Sequence, residues 1–446
     1  MSDDAVSARA GLQGPPLSRR TFIQGTVATG LAAAGPTPTR ASENTLARVP
    51  AQRVIYVFLS GAASQFETFD PKPGAPTGGA FGTTSTAVPG ARFCEYLPRL
   101  AQMSDKFAVV RSVTSGGDSG DHNREIRYAL TGHQAPASKF GIVRPSFGSI
   151  VAQLKQSPRA ELPGYVCLSP SWHDVAFQGA GSLPSKYDIM KTPGLGKLPG
   201  IATRPKQLTA DAYHARRALR VQLSQQFASE RGGPPVDQYE TSFRRARALM
   251  DSRDVFDISQ EPQDVRERYG RTRYGCDALA ARRMIERGVP FVLIQCFGTR
   301  CDWDWHYEAF SSNSKYMLGV FDQVTTTLMN DLRERGLWED TLLICASEFG
   351  RTPEIGSNQA GGWGGRAHYG KNFSTLLGGG PIQGGAVVGA TNNNGTEITD
   401  RRVTVADMHR TYYAALGIDP DDEFHINDQP IPIQEEGEQI ISELLV

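Results

Sequence analysis

The chain has 446 residues, 47 basic and 47 acidic side chains and 39% hydrophobic content, enough for one large domain or a domain carrying a sizeable insertion. With no excess of positive charge and no long basic cluster, the composition excludes an electrostatic footprint for nucleic acid or for an anionic membrane surface.

The first elements precede the fold. Ser18-Arg19-Arg20-Thr21-Phe22-Ile23-Gln24 leads into a weakly apolar run from Gly25 to Gly35, the pattern of a twin-arginine export signal, with a small-residue cleavage site near Thr39-Arg40-Ala41. The run is too short and too rich in Gly and Ala to span a bilayer. Residues 1–41 are therefore expected to be a signal read by the twin-arginine machinery, giving a periplasmic or otherwise extracytoplasmic protein with no integral span when mature. Without that pattern the stretch reads as a disordered tail. Export would place the six cysteines in an oxidising compartment, but their spacing offers no metal motif, and Cys296 and Cys345 read as buried thiols in apolar strands.

Val54 to Leu59 is a continuous apolar run that reads as a buried strand, followed by the small-residue loop Ser60 to Ser64. Phe107 to Val110 is a second such strand, followed by a polar and glycine-rich loop from Arg111 to Asp121. That loop, Gly116-Gly117-Asp118-Ser119-Gly120-Asp121, precedes a helix, and its aspartates suit a metal or an amine better than a bare phosphate. From about 162 to 275 the pattern turns to loops and two charged helical stretches, Ala210–Ser229 and Asp237–Ser252, which reads as a cap or insertion. Strand and helix then alternate: a helix from Cys276 to Arg287, a strand from Pro290 to Cys296, a helix from Tyr316 to Glu334 with Met317, Phe321, Val324, Leu328 and Leu332 on one face, and a strand from Thr341 to Ala346. Thr404-Val405-Ala406-Asp407 has the form of a capping box opening a helix through Leu416. Alternation of this kind predicts an α/β three-layer sandwich with a mostly parallel central sheet, as one domain over residues 42–446.

Three polar clusters follow apolar segments: Trp303-Asp304-Trp305-His306, Ser347 to Pro353, and Gly365-Arg366-Ala367-His368-Tyr369. Loops at the carboxyl ends of parallel strands are where such a fold binds ligands. A hydrolytic metal site needs carboxylates and neutral imidazoles converging on one point. Asp304, His306, Glu348 and His368 are accordingly the candidate ligands of a divalent ion such as Zn or Ca. Arg351 and Arg366 are candidates for binding a tetrahedral oxyanion. Each cluster alone also has a plain structural reading, as a hydrogen-bonded node in a loop, and Glu348 as the partner of Arg351. His133, His173, His214 and His425 receive no role, and His409 reads as packed or solvated. There is no G-x-S-x-G elbow.

The residues Ser64 to Pro73, Val110-Arg111-Ser112, His122, Leu130-Thr131-Gly132-His133, Ala281-Arg282-Arg283, Asp331-Leu332 with Arg335-Gly336-Leu337, Glu348-Phe349-Gly350-Arg351-Thr352-Pro353 and Gly389-Ala390-Thr391, with the Trp303 cluster, resemble the domain-of-unknown-function family 1501. That family is similar to the alkaline phosphatase and sulfatase superfamily. The resemblance implies an alkaline phosphatase-like fold and metal-dependent hydrolysis of phosphate or sulfate esters, with a small-molecule or glycan substrate. It places Glu348 at a metal-binding aspartate, Phe349 at a lost histidine ligand, and His122 at the nucleophile position, where a ligand, nucleophile or general acid are all open. Glu67 and Ala367 depart from the family's usual aspartates. The competing expectation is a non-catalytic extracytoplasmic protein that keeps the fold to bind a ligand or partner.

Overall fold

The computed structural model describes residues 49–117, 120–138, 141–159, 162–170, 179–196, 207–231, 243, 253–296, 303–356, 364–426, 429–437 and 439–446. All of them belong to one compact unit, Thr45–Val446. The export signal and most of the stretch Asp237–Ser252 lie outside the described residues.

The apolar runs build a central sheet of nine strands: β1 (Arg53–Phe58), β2 (Phe107–Thr114), β3 (Tyr165–Leu168), β4 (Met190–Thr192), β5 (Phe291–Gln295), β6 (Thr341–Ala346), β7 (Phe373–Gly378), β8 (Val387–Val388) and β9 (Val403–Thr404). Their order is β8-β2-β7-β6-β1-β5-β3-β4, with β9 also on β2. β1 sits between β5 and β6 in parallel register, Val54 opposite Phe291 and Leu342. Among the described strands of this sheet only β7 runs against its neighbours, β2 and β6. The sheet is thus mixed and mostly parallel.

Alternate residues of each strand face opposite layers. Ile55 and Val57 of β1 pack with Val292, Ile294, Leu343 and Cys345 under helices α4 (Arg273–Glu286) and α5 (Ser312–Glu334), whose apolar stripe Met317, Phe321, Val324, Leu328 and Leu332 is buried there. Val54, Tyr56 and Phe58 face the other way, against α1 (His122–Thr131), α2 (Phe147–Leu154) and α6 (Val405–Ala415). The remaining long helix, α3 (Ala210–Arg231), carries Leu219, Leu223 and Phe227 exposed. The capping box at Thr404 is present in full, Thr404 Oγ1 accepting from Asp407 N and the Asp407 carboxylate accepting from Thr404 N.

Two expectations are corrected. β2 continues past Val110 to Thr114, because β7 pairs with it at Val113 and β9 at Val113 and Thr114, and Ser112, Val113 and Thr114 are buried. The reading of 162–275 as a cap does not hold from its start, since Tyr165–Leu168 and Met190–Thr192 join the sheet edge in parallel beside β5. Strands of four and three residues between proline and glycine are too short to announce themselves. The cysteines Cys94, Cys167, Cys276, Cys296 and Cys345 are free thiols.

α4 and α5 are joined by a buried ionic network. Arg282, fully buried, meets Glu261 at 2.6 Å, Glu286 at 2.8 Å and Asp331 at 2.9 Å, and Asp331 also accepts from Tyr269 Oη at 2.9 Å and Arg335 Nε at 2.8 Å. Removing Arg282 leaves the buried carboxylates of Glu261 and Asp331 short of a charge partner. Arg282→Met is expected to lower unfolding free energy by about 3–5 kcal/mol in urea titration. The outer Arg335→Met is expected to cost less than about 1.5 kcal/mol.

On the opposite layer, burial depresses two histidines: His409 to about 4, and His133 to about 3 with help from Arg144. Both are neutral in the fold, and His409 Nε2–H donates to Ala129 O at 2.9 Å. Between those values and 6.5 the unfolded chain binds more protons than the folded one, so stability falls as pH drops below 6.5, by up to about 1.4 kcal/mol per pH unit for each histidine. Urea midpoints measured from pH 7 to pH 5.5 check this. His409→Gln should remove about half the slope, and an unchanged slope would refute the assignment.

Candidate functional site

Because the strands around β1 run parallel, the segments leaving β1, β2, β5 and β6 emerge on one rim. Antiparallel β7 begins on that same rim, so the short hairpin before it, Gly350–Arg351 paired with His368–Tyr369, returns there too. His122 enters as the first residue of α1, whose N-cap Asp121 accepts from Asn123 N at 2.9 Å. Asp304 and His306 follow β5, Glu348 follows β6, and His368 comes from the hairpin.

These side chains converge. One ligand atom each from His122, Asp304 and His368 lies within 4.8 Å of the others. Asp304 Oδ1 is 3.7 Å from His122 Nε2, 3.2 Å from His368 Nε2 and 3.1 Å from His306 Nε2. His306 Nε2 and His368 Nε2 are 2.9 Å apart. The cluster is reached by solvent from one side, with Asp304 23% and His306 33% exposed at the side chain.

The far nitrogens of two rings are held from behind. His122 Nδ1 lies 2.8 Å from Glu348 Oε1, and His368 Nδ1 lies 2.8 Å from Gly120 O. A carbonyl oxygen only accepts, so His368 Nδ1–H donates to Gly120 O and the ring's Nε2 is turned toward the cluster. Glu348, fully buried, also accepts from Gly61 N at 2.9 Å, while its Oε2 has no hydrogen-bond partner among the described residues. Glu348 thus sits behind His122 rather than at the common point, and His122 takes the place expected for it.

The two arginines were expected to bind an oxyanion, and their contacts are different. Arg366 is buried and all five of its N–H groups are engaged: by Glu67 at 2.8 and 3.1 Å, Thr77 O at 2.8 Å, Thr352 O at 3.0 Å and Pro353 O at 2.7 Å. It is a structural pair, with Phe66 and Phe310 around its guanidinium. Arg351, 1% exposed, donates through Nε to Ala62 O at 3.0 Å, through Nη1 to Arg366 O at 3.2 Å, and through Nη2 to Gly61 O and Asp304 Oδ1. It touches the cluster from inside.

Electrostatics follow from these contacts. Burial opposes charge on His122, but Asp304 and Glu348 outweigh it and push the imidazole up to about 9. For Asp304 burial acts upward, yet His122, His368 and Arg351 hold the carboxyl well below the usual carboxylate range. His306 is lowered by burial and by its cationic neighbours, against the pull of Asp304.

Two contributors, Gly120 and Gly365, were not legible in the sequence, and Phe349, placed at the site by the family pattern, takes a role that the pattern did not give. Gly120 acts through its carbonyl, which no side-chain pattern reveals. Phe349 lays its ring 5.0 Å from that of His122 and 4.7 Å from that of His368, closing one flank. Gly365 must lack a Cβ, which would fall 1.8 Å from His306 O, so the hairpin and the 303–306 loop can lie back to back.

Among solved structures, the chain is similar to a protein in the alkaline phosphatase superfamily from Vibrio parahaemolyticus (12% identity, 84% of this chain and 70% of that one, TM-score 0.36). It is also similar to the PsFucS1 sulfatase from Pseudoalteromonas sp. (16%, 83% and 68%, 0.38) and to the lipoteichoic acid synthase LtaP from Listeria monocytogenes (10%, 84% and 74%, 0.38). At these scores none of them bears on what the chain binds or does. No curated protein matches it. Residues 51–445 match the family described as "Protein of unknown function (DUF1501)", and the chain belongs to that family.

Proposed function

We propose that the protein is an exported, metal-dependent hydrolase of phosphate or sulfate esters, with the cluster at the sheet rim as its metal centre. One observation carries the reading: His122, Asp304 and His368 bring two imidazole nitrogens and a carboxylate oxygen within 4.8 Å of one another. The donor set suits a divalent ion of the zinc type, since imidazole and carboxylate are its usual nitrogen and oxygen ligands. Orientation suits it as well. Ligating histidines are characteristically held at their other nitrogen by a carboxylate or a carbonyl, and Glu348 and Gly120 O occupy those positions.

In this reading His122, Asp304 and His368 hold the ion, and His306, 3.1 Å from Asp304, adds a fourth donor on the exposed side. A bound divalent ion lowers the pKa of a coordinated water to about 7 or polarises an ester oxygen. Glu348 keeps the His122 ring turned toward the cluster. Arg351 balances the charge of Asp304 without leaving its buried seat, and Phe349 excludes water from one flank. Export rests on the arginine pair and the small-residue run of residues 18–35, which would bring the protein to the periplasm through the twin-arginine machinery.

Phe349 and the committed arginines favour a second reading, a non-catalytic extracytoplasmic protein that uses the same centre to bind a ligand or partner. Arg366 has all five N–H groups engaged, and Arg351 is held by Asp304 and three backbone carbonyls rather than turned toward an oxyanion.

Elemental analysis of the purified full-length protein, with a panel of aryl phosphates and sulfates, separates these outcomes. The hydrolase reading expects about one equivalent of divalent metal, lost in Asp304→Asn and His368→Ala, and turnover that disappears with it. Glu348→Gln should weaken metal binding about 10–100-fold while leaving the fold intact. Stoichiometric metal with no turnover on any ester would select the binding reading. Wild-type protein that takes up no zinc, manganese or calcium would defeat both.

A further inference from the structure

On the same edge of the sheet, over the carboxyl end of β5, a cavity of about 550 Å³ lies between the start of α4 and the Tyr316–Phe321 stretch of α5. That volume is in the range of small-molecule sites. Tyr274, Trp303, Val320 and Phe321 supply its apolar lining, and Arg271 and Arg273 stand at the head of α4. No acidic side chain is among the described residues that line it. Arg271 is exposed and makes no ion pair among the described residues.

One wall is held in a costly conformation. Gly194, Leu195 and Gly196 are all left-handed, at φ +73°, +57° and +65°, and so is Ser169 at the end of β3, at +55°. Only glycine takes such angles freely, and non-glycine residues keep them where the surroundings impose them. Here the imposing group is Asp277, fully buried, which accepts from Leu195 N at 2.6 Å and from Ser169 Oγ. A Cβ on Gly194 would meet Ser169 Oγ at 1.8 Å. The buried carboxylate thus pins Leu195 in place as part of the lining, and it is committed to those donors rather than facing the cavity.

The cavity also touches the candidate metal centre through one residue. Trp303 forms part of its wall, donates Nε1–H to Cys296 O at 2.9 Å, and is followed directly by Asp304.

We propose that this cavity binds a small amphipathic anion, an aromatic or branched aliphatic body carrying one carboxylate, sulfonate or phosphate group. The apolar lining takes the body, and Arg271 with Arg273 takes the charge, since a guanidinium beside an apolar surface recognises a planar or tetrahedral oxyanion through paired N–H donors. The site stands whether or not a metal occupies the cluster.

The probe is 8-anilinonaphthalene-1-sulfonate, titrated into full-length protein and read by its own fluorescence, with uncharged N-phenyl-1-naphthylamine as the control. Wild type is expected to bind one equivalent of the sulfonate saturably. Val320→Trp, which fills the cavity from a half-buried position, should weaken both probes about tenfold or more. Arg271→Ala should weaken the sulfonate by about tenfold, the size of one charge-assisted hydrogen bond, and leave the neutral probe unchanged. If Val320→Trp does not fold, the surface change Arg271→Ala carries the test alone. No saturable sulfonate binding by wild type, or an Arg271→Ala protein that binds the sulfonate as tightly as wild type or loses both probes equally, would overturn the proposal. The experiment reads neither metal nor turnover, so its failure is separate from failure of the hydrolase reading.

Discussion

The arrangement at the rim depends on one buried cation. Arg351, at the head of the hairpin before β7, donates to the carbonyls of Gly61, Ala62 and Arg366 and to the Asp304 carboxylate. Those partners lie on three different segments: the loop after β1, the loop after β5 and the return arm of the hairpin. A guanidinium taken out of water is tolerable only when its donors are satisfied and its charge is answered. The three segments therefore have to close around it together. Ala62, left-handed at φ +69°, is part of what that closure costs.

From that seat the rest of the cluster follows. Asp304 is fixed by Arg351 and stays ionised, and its Oδ1 then stands 3.7, 3.1 and 3.2 Å from Nε2 of His122, His306 and His368. Glu348 and Gly120 O turn two of those rings so that their Nε2 atoms face Asp304. Phe349 makes the site one-sided. An imidazole-rich pocket with one carboxylate, one buried counter-cation and one aromatic flank is suited to holding a cation, while the two arginines beside it are committed to protein acceptors.

Much of the fold was legible because its signals are local. Apolar runs at 54–59, 290–296 and 341–346 mark β1, β5 and β6 to within a residue or two, and the five-residue stripe from Met317 to Leu332 marks the buried face of α5. The capping box at Thr404 needs only four consecutive residues. Less was legible where pairing supplies the order. β3 and β4 are short and flanked by proline and glycine, and they are strands only because β5 offers an edge to join. The Arg282 and Asp331 segments, which stand out in sequence as parts of the family pattern, turn out to be two halves of one buried ionic network. Their chemistry is packing.

For the site, the sequence by itself determined which residue types were available and on which loops: Asp304, His306 and His368 in polar clusters after apolar segments. Composition and chain order decide that much, because they need no knowledge of where one segment lies against another. Only the tertiary structure decided the grouping. It brought His122 from a helix start more than 180 positions away to the point expected for Glu348, moved Glu348 one hydrogen bond outward, and spent Arg366 on Glu67. The reason is physical: coordination geometry and the pairing of buried charge are properties of distances between segments, and those distances are set by the strand order and by the single reversed strand, β7.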